Sequence, residues 1–197
     1  PVALPAADQA RIAYLLYTSG STGRPNGVPI GHASLLNHLR SIAEVPGLEP
    51  GDRMLAITTP TFDISILEML LPLSVGATVI LYGQDLLLAP VRLGQVLADD
   101  RISHMQATPA YWRMLLDSGW QGCVTLTALC GGEALDAPLA RRLLERTKIL
   151  WNVYGPTEAT IWASALQVTV RHAESGKVPI GGIWQQIKDL EGLARAS

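Results

Sequence analysis

The residues best suited to chemistry stand in the order Thr18-Ser19-Gly20-Ser21-Thr22-Gly23, four hydroxyl groups interleaved with two glycines. Glycine lets a backbone turn sharply and aim several N–H groups at one point, while hydroxyls add donors without bulk. Such a loop can cradle phosphate oxygens. The alternative is a plain polar hairpin turn between residues 12–17 and 28–30, both of which read as extended, the first as a buried strand. It is not a loop of the GxxxxGK[ST] type, because Arg24-Pro25 follows Gly20 at that spacing. Three further clusters each follow an apolar run. They are Phe62-Asp63-Ile64-Ser65, Cys130-Gly131-Gly132-Glu133 and Asn152-Val153-Tyr154-Gly155-Pro156-Thr157-Glu158. Each has a purely structural reading: Asp63 as a helix N-cap, the second as a strand-to-helix turn, the third as a tight Gly-Pro turn.

The elements that must carry these clusters alternate. Apolar runs at 54–58, 77–82, 104–108, 125–130, 149–153 and 166–170 read as strands. Helical spacing marks 32–45, a stretch from Ile64 stopped by Pro72 and Gly76, 90–97, 109–116 and a helix opened by Asp136. This pattern predicts an α/β fold, a mostly parallel sheet flanked by helices on both faces, with ligands at the carboxyl ends of the strands. The chain has 197 residues, 48% hydrophobic and 16% charged, which suits a globular domain with a substantial core. Its net charge of −2 argues against nucleic acid or an anionic membrane surface as partner. The greasiest window, 64–81, carries Glu68, Pro72 and Gly76 and reads as helix then strand, not as a membrane span. Two cysteines, Cys123 and Cys130, without a second ligand pair make zinc improbable and suit a cytoplasmic protein. The start, Pro-Val-Ala-Leu-Pro, carries no signal-peptide pattern and suggests a piece of something longer.

Tyr17-Thr18-Ser19-Gly20-Ser21-Thr22-Gly23-Arg24-Pro25-Asn26-Gly27-Val28 resembles the phosphate-binding signature of the adenylate-forming enzymes. That superfamily holds acyl-CoA synthetases, luciferases and the adenylation domains of nonribosomal peptide synthetases. The other three clusters resemble its motifs in the same order, over roughly residues 13–181. The resemblance implies a partial large subdomain of that fold and use of ATP with Mg2+. By the same resemblance Thr18, Ser19, Gly20, Ser21, Thr22, Gly23 and Thr157 contact phosphate, and Gly131, Gly132, Glu133, Asn152 and Tyr154 contact adenine. Glu158 helps hold Mg2+, and one carboxylate beside phosphate oxygens suits that ion. Asp63 pairs with the α-ammonium of an amino acid, an opposite charge offsetting the desolvation of a buried cation. Besides Asp63, the amino-acid pocket is implied to be lined by Ile64, Leu67, Gln106, Ala128, Cys130, Val153, Ile161 and Trp162. None of these eight is charged, so a charged side chain would be buried without a partner. The pattern resembles glycine-selecting pockets, with Ala128 and Cys130 as departures, so the implied substrate is glycine or another small neutral amino acid.

The chain departs from the family at Asn26, where the family has Lys, which removes a cation beside the phosphates. The family's ribose-binding Thr-Gly-Asp motif and its C-terminal subdomain with the catalytic Lys have no counterpart, and no catalytic side chain is assigned. Residues 1–181 read as a partial adenylation core. Residues 182–197 read as a divergent tail, a linker or an amphipathic helix carrying Ile183, Trp184, Ile187, Leu190 and Ala194. The expected function is the binding core for ATP-dependent activation of an amino acid as its aminoacyl-adenylate for loading a carrier protein, impaired or inactive in this chain. One alternative is a truncated remnant serving a megasynthase as a platform for carrier, condensation or inserted tailoring domains. Another is a fragment of an acyl-CoA or aryl-acid ligase, against which Asp63 argues, since those substrates have no ammonium group.

Overall fold

The computed structural model describes residues 8, 11–19, 24–174 and 176–181. Strands β1 (Ile12–Thr18) and β2 (Asn26–Gly31) form an antiparallel hairpin leading into helix α1 (His32–Ile42). Then follow β3 (Arg53–Ala56), α2 (Ile64–Val75), β4 (Thr78–Leu81), α3 (Pro90–Asp99), β5 (His104–Ala107) and α4 (Pro109–Asp117). The order closes with β6 (Cys123–Gly131), α5 (Ala137–Leu144), β7 (Thr147–Tyr154) and β8 (Ser164–Gln167). The main sheet runs β4-β3-β5-β6-β7-β8; its first five strands are parallel, and β8 joins antiparallel to β7.

Two apolar clusters sandwich this sheet, as the alternation of strand and helix predicts. One packs Leu93, Leu97, Trp112, Leu115, Leu139 and Leu143 of α3, α4 and α5 against Ala128, Cys130 and Leu150. The other packs Leu35, Leu39 and Ile42 of α1 and Leu67 and Leu71 of α2 against Leu129, Val153, Ile161 and Trp162. Local signals explain the helix starts. The Thr108 hydroxyl accepts from the N–H of Tyr111 and Pro109 opens α4, while the Asp136 carboxylate accepts from the N–H of Leu139 at 2.8 Å. Arg113 then ties α4 to that cap through Asp136 at 2.7 Å.

The structure departs from the sequence expectations in three places. Strand β1 is not buried: Ile12 and Tyr17 are 61% and 68% exposed, because a two-stranded hairpin covers the core with one face only. Pro72 does not stop α2, which runs on to Val75 and ends at Gly76 with φ 79°. Proline lacks an N–H and so leaves the Glu68 carbonyl without its helical donor, but Pro72 and Leu71 are both buried, and that packing carries the last turn. The final strand lies at Ser164–Gln167 instead of 166–170, and Val170–Glu174 is a 3-10 turn. Among the described residues no helix is long and apolar enough to cross a membrane.

Candidate functional site

Because β3, β5, β6 and β7 run parallel, the segments that leave their carboxyl ends gather along one edge of the sheet. Residues 57–63 follow β3, Thr108 follows β5, Gly132 and Glu133 follow β6, and residues 155–163 follow β7. Three of the four clusters picked out in the sequence therefore meet at one place. The fourth joins β1 to β2. Thr18 pairs with Asn26 at the mouth of that hairpin, Ser19 follows Thr18, and Gly20, Ser21, Thr22 and Gly23 lie outside the described residues. The tail 182–197 lies outside them too.

Asp63 stands at the start of α2, yet its side chain makes no capping hydrogen bond. Burial pushes its carboxyl above the ordinary range; the N–H of Ile64 and the hydroxyl of Thr157 pull it back, and the charge of Glu158 pushes it up again. Those influences place Asp63, Thr157 and Glu158 in one neighbourhood. Thr157 and Glu158 sit in a short 3-10 turn after the Gly155-Pro156 step, Thr157 partly covered and Glu158 exposed. Thr160 and Ile161 then adopt left-handed φ values of 64° and 65°, rare for a β-branched residue, and the turn drives Ile161 and Trp162 inward. Gly155 makes this possible. A Cβ there would lie 2.5 Å from the Ile161 carbonyl oxygen and 2.6 Å from the Ala163 nitrogen.

Under this loop lies a chain of polar contacts. Nε1 of Trp162 donates to Oε1 of Gln106 at 3.2 Å. Nε2 of Gln106 donates to the Ile64 carbonyl at 3.1 Å and to Oε1 of Glu68 at 3.3 Å. Glu68 is completely buried, and it also accepts from the N–H groups of Ile57 and Thr58 and from the Thr58 hydroxyl. Burial raises its pKa; the Thr58 hydroxyl and the N–H donors act to lower it. Beside this chain, between the carboxyl ends of β3 and β4, opens a cavity of about 420 Å³ lined by Thr58, Thr59, Glu68, Met69 and Tyr82.

Of the residues assigned to the amino-acid pocket, the structure brings Leu67, Val153, Ile161 and Trp162 into one cluster, with Ile64 packed against it and Gln106 bonded to Ile64 and Trp162. Ala128 and Cys130 are not brought there. Successive strand residues point to opposite faces, and both belong to the cluster of α3, α4 and α5. Leu129 and Gly131 occupy the positions facing Trp162 instead. Asn152, assigned to adenine, is buried with its Nδ2 donating to the Pro179 carbonyl at 2.8 Å, which ties residues 178–181 to β7. Tyr154 is 49% exposed at the strand end, and Gly132 and Glu133 are exposed beyond β6.

Three further polar groups belong to this neighbourhood. Glu68 reads in the sequence only as a charge that interrupts the apolar window 64–81, although a lone carboxylate in the apolar run Ile64–Val75 signals a buried, partnered charge. His38 sits on the apolar stripe of α1, 1% exposed; burial lowers its pKa to about 4 against a backbone contact with Trp162. Tyr14 turns its hydroxyl inward without a hydrogen-bond partner among the described residues, and burial with the nearby Asp63 charge pushes its pKa up to about 12.

A hydroxyl-rich loop, a half-buried carboxylate and a turn carrying Thr and Glu define a class. The family model described as AMP-binding enzyme matches residues 1–193, and the chain belongs to that family. Within it the chain is part of an adenylation domain of the nonribosomal-peptide-synthetase type. It is 43% identical over 173 residues to the dimodular nonribosomal peptide synthase of Bacillus subtilis (strain 168), covering 87% of this chain and 7% of that protein. It is 37% identical over 173 residues to tyrocidine synthase 3 of Brevibacillus parabrevis, covering 86% of this chain and 3% of that protein. Among solved structures, a holo four-domain nonribosomal peptide synthetase bound to AMP and glycine superposes with a TM-score of 0.81 at 46% identity, over 88% of this chain and 13% of that one. The Vibrio cholerae adenylation domain AlmE, in complex with glycyl-adenosine-5'-phosphate, gives a TM-score of 0.81 at 25% identity, over 91% of this chain and 34% of that one. The chain thus spans a small part of the proteins it matches.

Proposed function

We propose that this chain is the amino-acid- and nucleotide-binding core of an adenylation domain that activates a small neutral amino acid, glycine first, as its aminoacyl-adenylate for loading a carrier domain in the cytoplasm. The observation that carries this is that the segment after β3, with Asp63, and the turn after β7, with Thr157 and Glu158, leave the same edge of the sheet. In an aminoacyl-adenylate the ammonium group is separated from the α-phosphorus only by the α-carbon, the carbonyl carbon and one oxygen. A site for it needs an anion for the ammonium directly beside a donor for the phosphate, and Asp63 lies within the influence of the Thr157 hydroxyl.

In the reaction a carboxylate oxygen of the amino acid attacks the α-phosphorus of ATP, and pyrophosphate leaves. Asp63 holds the ammonium and so aims the carboxylate, which turns a bimolecular step into a positioned one. Thr157 donates to the α-phosphate, and the hydroxyls of Thr18 and Ser19 at the hairpin mouth are available to the leaving phosphates. Tyr154 and the exposed Gly132 after β6 offer a flat edge for adenine. Among the described residues no group of three ligands could cage a metal. The exposed Glu158 beside a hydroxyl fits Mg2+ held largely by substrate oxygens, where the ion would neutralise phosphate charge. Trp162 and Ile161, both large, apolar and buried, occupy space among the residues assigned to the pocket, and this supports a small substrate; the glycine-bound relatives support it further.

A second reading is favoured by Asn26, exposed at the mouth of the hairpin with no cation in place of the family's Lys: a platform for neighbouring synthetase domains without nucleotide chemistry. Calorimetric titration with Mg·ATP separates the two. Binding in the micromolar to millimolar range that strengthens in Asn26→Lys supports the core. Absence of heat with both proteins, at concentrations suited to millimolar affinity, overturns it in favour of the platform.

A further inference from the structure

We propose that Glu68 is a positioning residue that fixes the amide of Gln106 and, through it, the indole of Trp162, so that a group outside the pocket restricts which amino acid enters. The specificity half of this rests on the function proposed above; the positioning half does not.

The contacts leave no freedom in the chain of donors and acceptors. Oε2 of Glu68 accepts the N–H of Ile57 at 3.0 Å and of Thr58 at 2.9 Å, and neither backbone donor can turn away. Oε1 accepts the Thr58 hydroxyl and Nε2 of Gln106. A carboxylate is acceptor-only, so the Gln106 amide must present its NH2 to Glu68, where that group also reaches the Ile64 carbonyl. The opposite end of the amide is then an oxygen, as the Nε1–H of Trp162 requires. Thus the charge on α2 dictates the orientation of an indole about two contacts away. Among the residues assigned to substrate, the Glu68 carboxylate hydrogen-bonds Gln106 alone, and its other bonds hold the strand end from which the Asp63 loop departs.

Glu68→Gln tests the relay because it keeps shape and packing. Its carbonyl oxygen must stay on the Ile57 and Thr58 N–H groups, so its NH2 faces Nε2 of Gln106. Two donors then oppose each other. Gln106 turns its amide over, withdraws the acceptor from Trp162 and takes its donor away from the Ile64 carbonyl. The Thr58 hydroxyl does not resist, since it can turn to accept.

The readout is hydrogen exchange at the indole N–H groups of the 197-residue chain, with the Trp162 signal assigned by its loss in Trp162→Phe. Trp112 is the internal reference, because its Nε1 donates to the Leu129 carbonyl at 3.1 Å, outside the relay. Glu68→Gln is expected to speed exchange at Trp162 by about tenfold or more while Trp112 stays unchanged, as a local opening does. Glu68→Asp, which keeps an acceptor-only group, is expected to exchange more slowly than Glu68→Gln. Unchanged exchange at Trp162, or equal acceleration at both indoles, overturns the relay. Should Glu68→Gln fail to fold, Gln106→Leu removes the acceptor without touching the Ile57 and Thr58 contacts, and unchanged Trp162 exchange there overturns it equally.

The second arm compares binding of glycyl- and valyl-sulfamoyladenosine, stable mimics of aminoacyl-adenylates. Glu68→Gln and Gln106→Leu should each reduce the glycyl preference by about tenfold, the scale of discrimination an apolar pocket gives. Equal weakening of both mimics overturns the specificity half. If the parent chain binds neither mimic, the amino-acid-pocket reading and the specificity half fall together, and the indole exchange still decides the positioning.

Discussion

A Cβ placed on Gly131 would stand 2.7 Å from Cη2 of Trp162 and 2.6 Å from the carbonyl oxygen of Val153. The missing side chain at the end of β6 is the space that the indole occupies. Gly131→Ala must therefore displace both a backbone carbonyl and a buried ring before any nucleotide is present. Overpacking of this kind costs about 1–3 kcal/mol, and the rigid carbonyl favours the upper end. Gly132 differs: its φ is 85°, but its nearest neighbour would be the Thr108 methyl at 3.6 Å, so Gly132→Ala meets left-handed strain of about 1–2 kcal/mol without a clash. Urea midpoints should fall further for Gly131→Ala than for Gly132→Ala. The reverse order would mean that the turn after β6, not the Trp162 contact, demands glycine.

Gly155 is under the same constraint from another direction. The chain doubles back on it so tightly that a methyl would meet the Ile161 carbonyl oxygen, the Ala163 nitrogen and the Trp162 α-carbon. All three are backbone, and none can rotate aside. Gly155→Ala is expected to lower stability by about 3 kcal/mol, beyond the usual range for a loop substitution, and to shift the Trp162 indole resonance. A variant with parental stability and an unshifted indole would show that the 155–163 loop relaxes freely.

Much of this was legible in the sequence, for physical reasons that particular residues make plain. The caps at Thr108 and Asp136, the helix stop at Gly76 and the strand-helix alternation are local signals, and the structure uses each one. What escaped was set by partners far along the chain. Ile12–Tyr17 has the composition of a buried strand, but it joins a two-stranded hairpin and so keeps one face outside. Pro72 reads as a stop because its lost hydrogen bond is local and its burial is not. Ala128 and Cys130 were placed in the pocket by resemblance; the pairing of Gly131 with Val153 turns those side chains to the other face. A lone carboxylate in an apolar run marks Glu68 as buried and partnered, but its four donors come from Ile57, Thr58 and, 38 residues on, Gln106, and no local pattern names them.

His38 makes stability depend on pH. Its pKa falls from 6.5 to about 4 because burial disfavours the charged ring. Between those values the unfolded chain binds a proton that the folded chain refuses, so stability rises with pH through this window and is lost on acidification. The shift corresponds to about 3 kcal/mol between pH 7 and pH 4. His104, also lowered by burial, acts in the same direction, whereas Asp63 and Glu68, whose pKa values are raised, act in the opposite one. His38→Leu isolates the contribution. Urea unfolding of the parent and of His38→Leu at pH 7, 6, 5 and 4.5 should show the variant losing less stability on acidification. Parallel profiles would mean that the ring at position 38 accepts its proton in the folded chain.

Asp63 separates stability from binding. A carboxyl whose pKa is raised holds its proton more tightly folded than unfolded, so its ionised form opposes folding above the ordinary carboxylate range. Asp63→Asn removes that opposition, and at pH 7 the free variant should unfold at the parental temperature or slightly above. The same change removes the anion that the proposed ammonium contact needs. Truncating one partner of a covered charge pair costs about 2–5 kcal/mol, so glycyl-sulfamoyladenosine should bind at least about 30-fold more weakly. AMP, which has no ammonium group, should bind as before if it binds the parent. Calorimetry on both ligands with a melting curve checks the three outcomes together. Equal weakening of AMP and the glycyl mimic would show Asp63 supporting the loop around Thr157, not recognising an amino acid, and a marked loss of stability would show that its carboxylate holds the folded loop more than its burial opposes it.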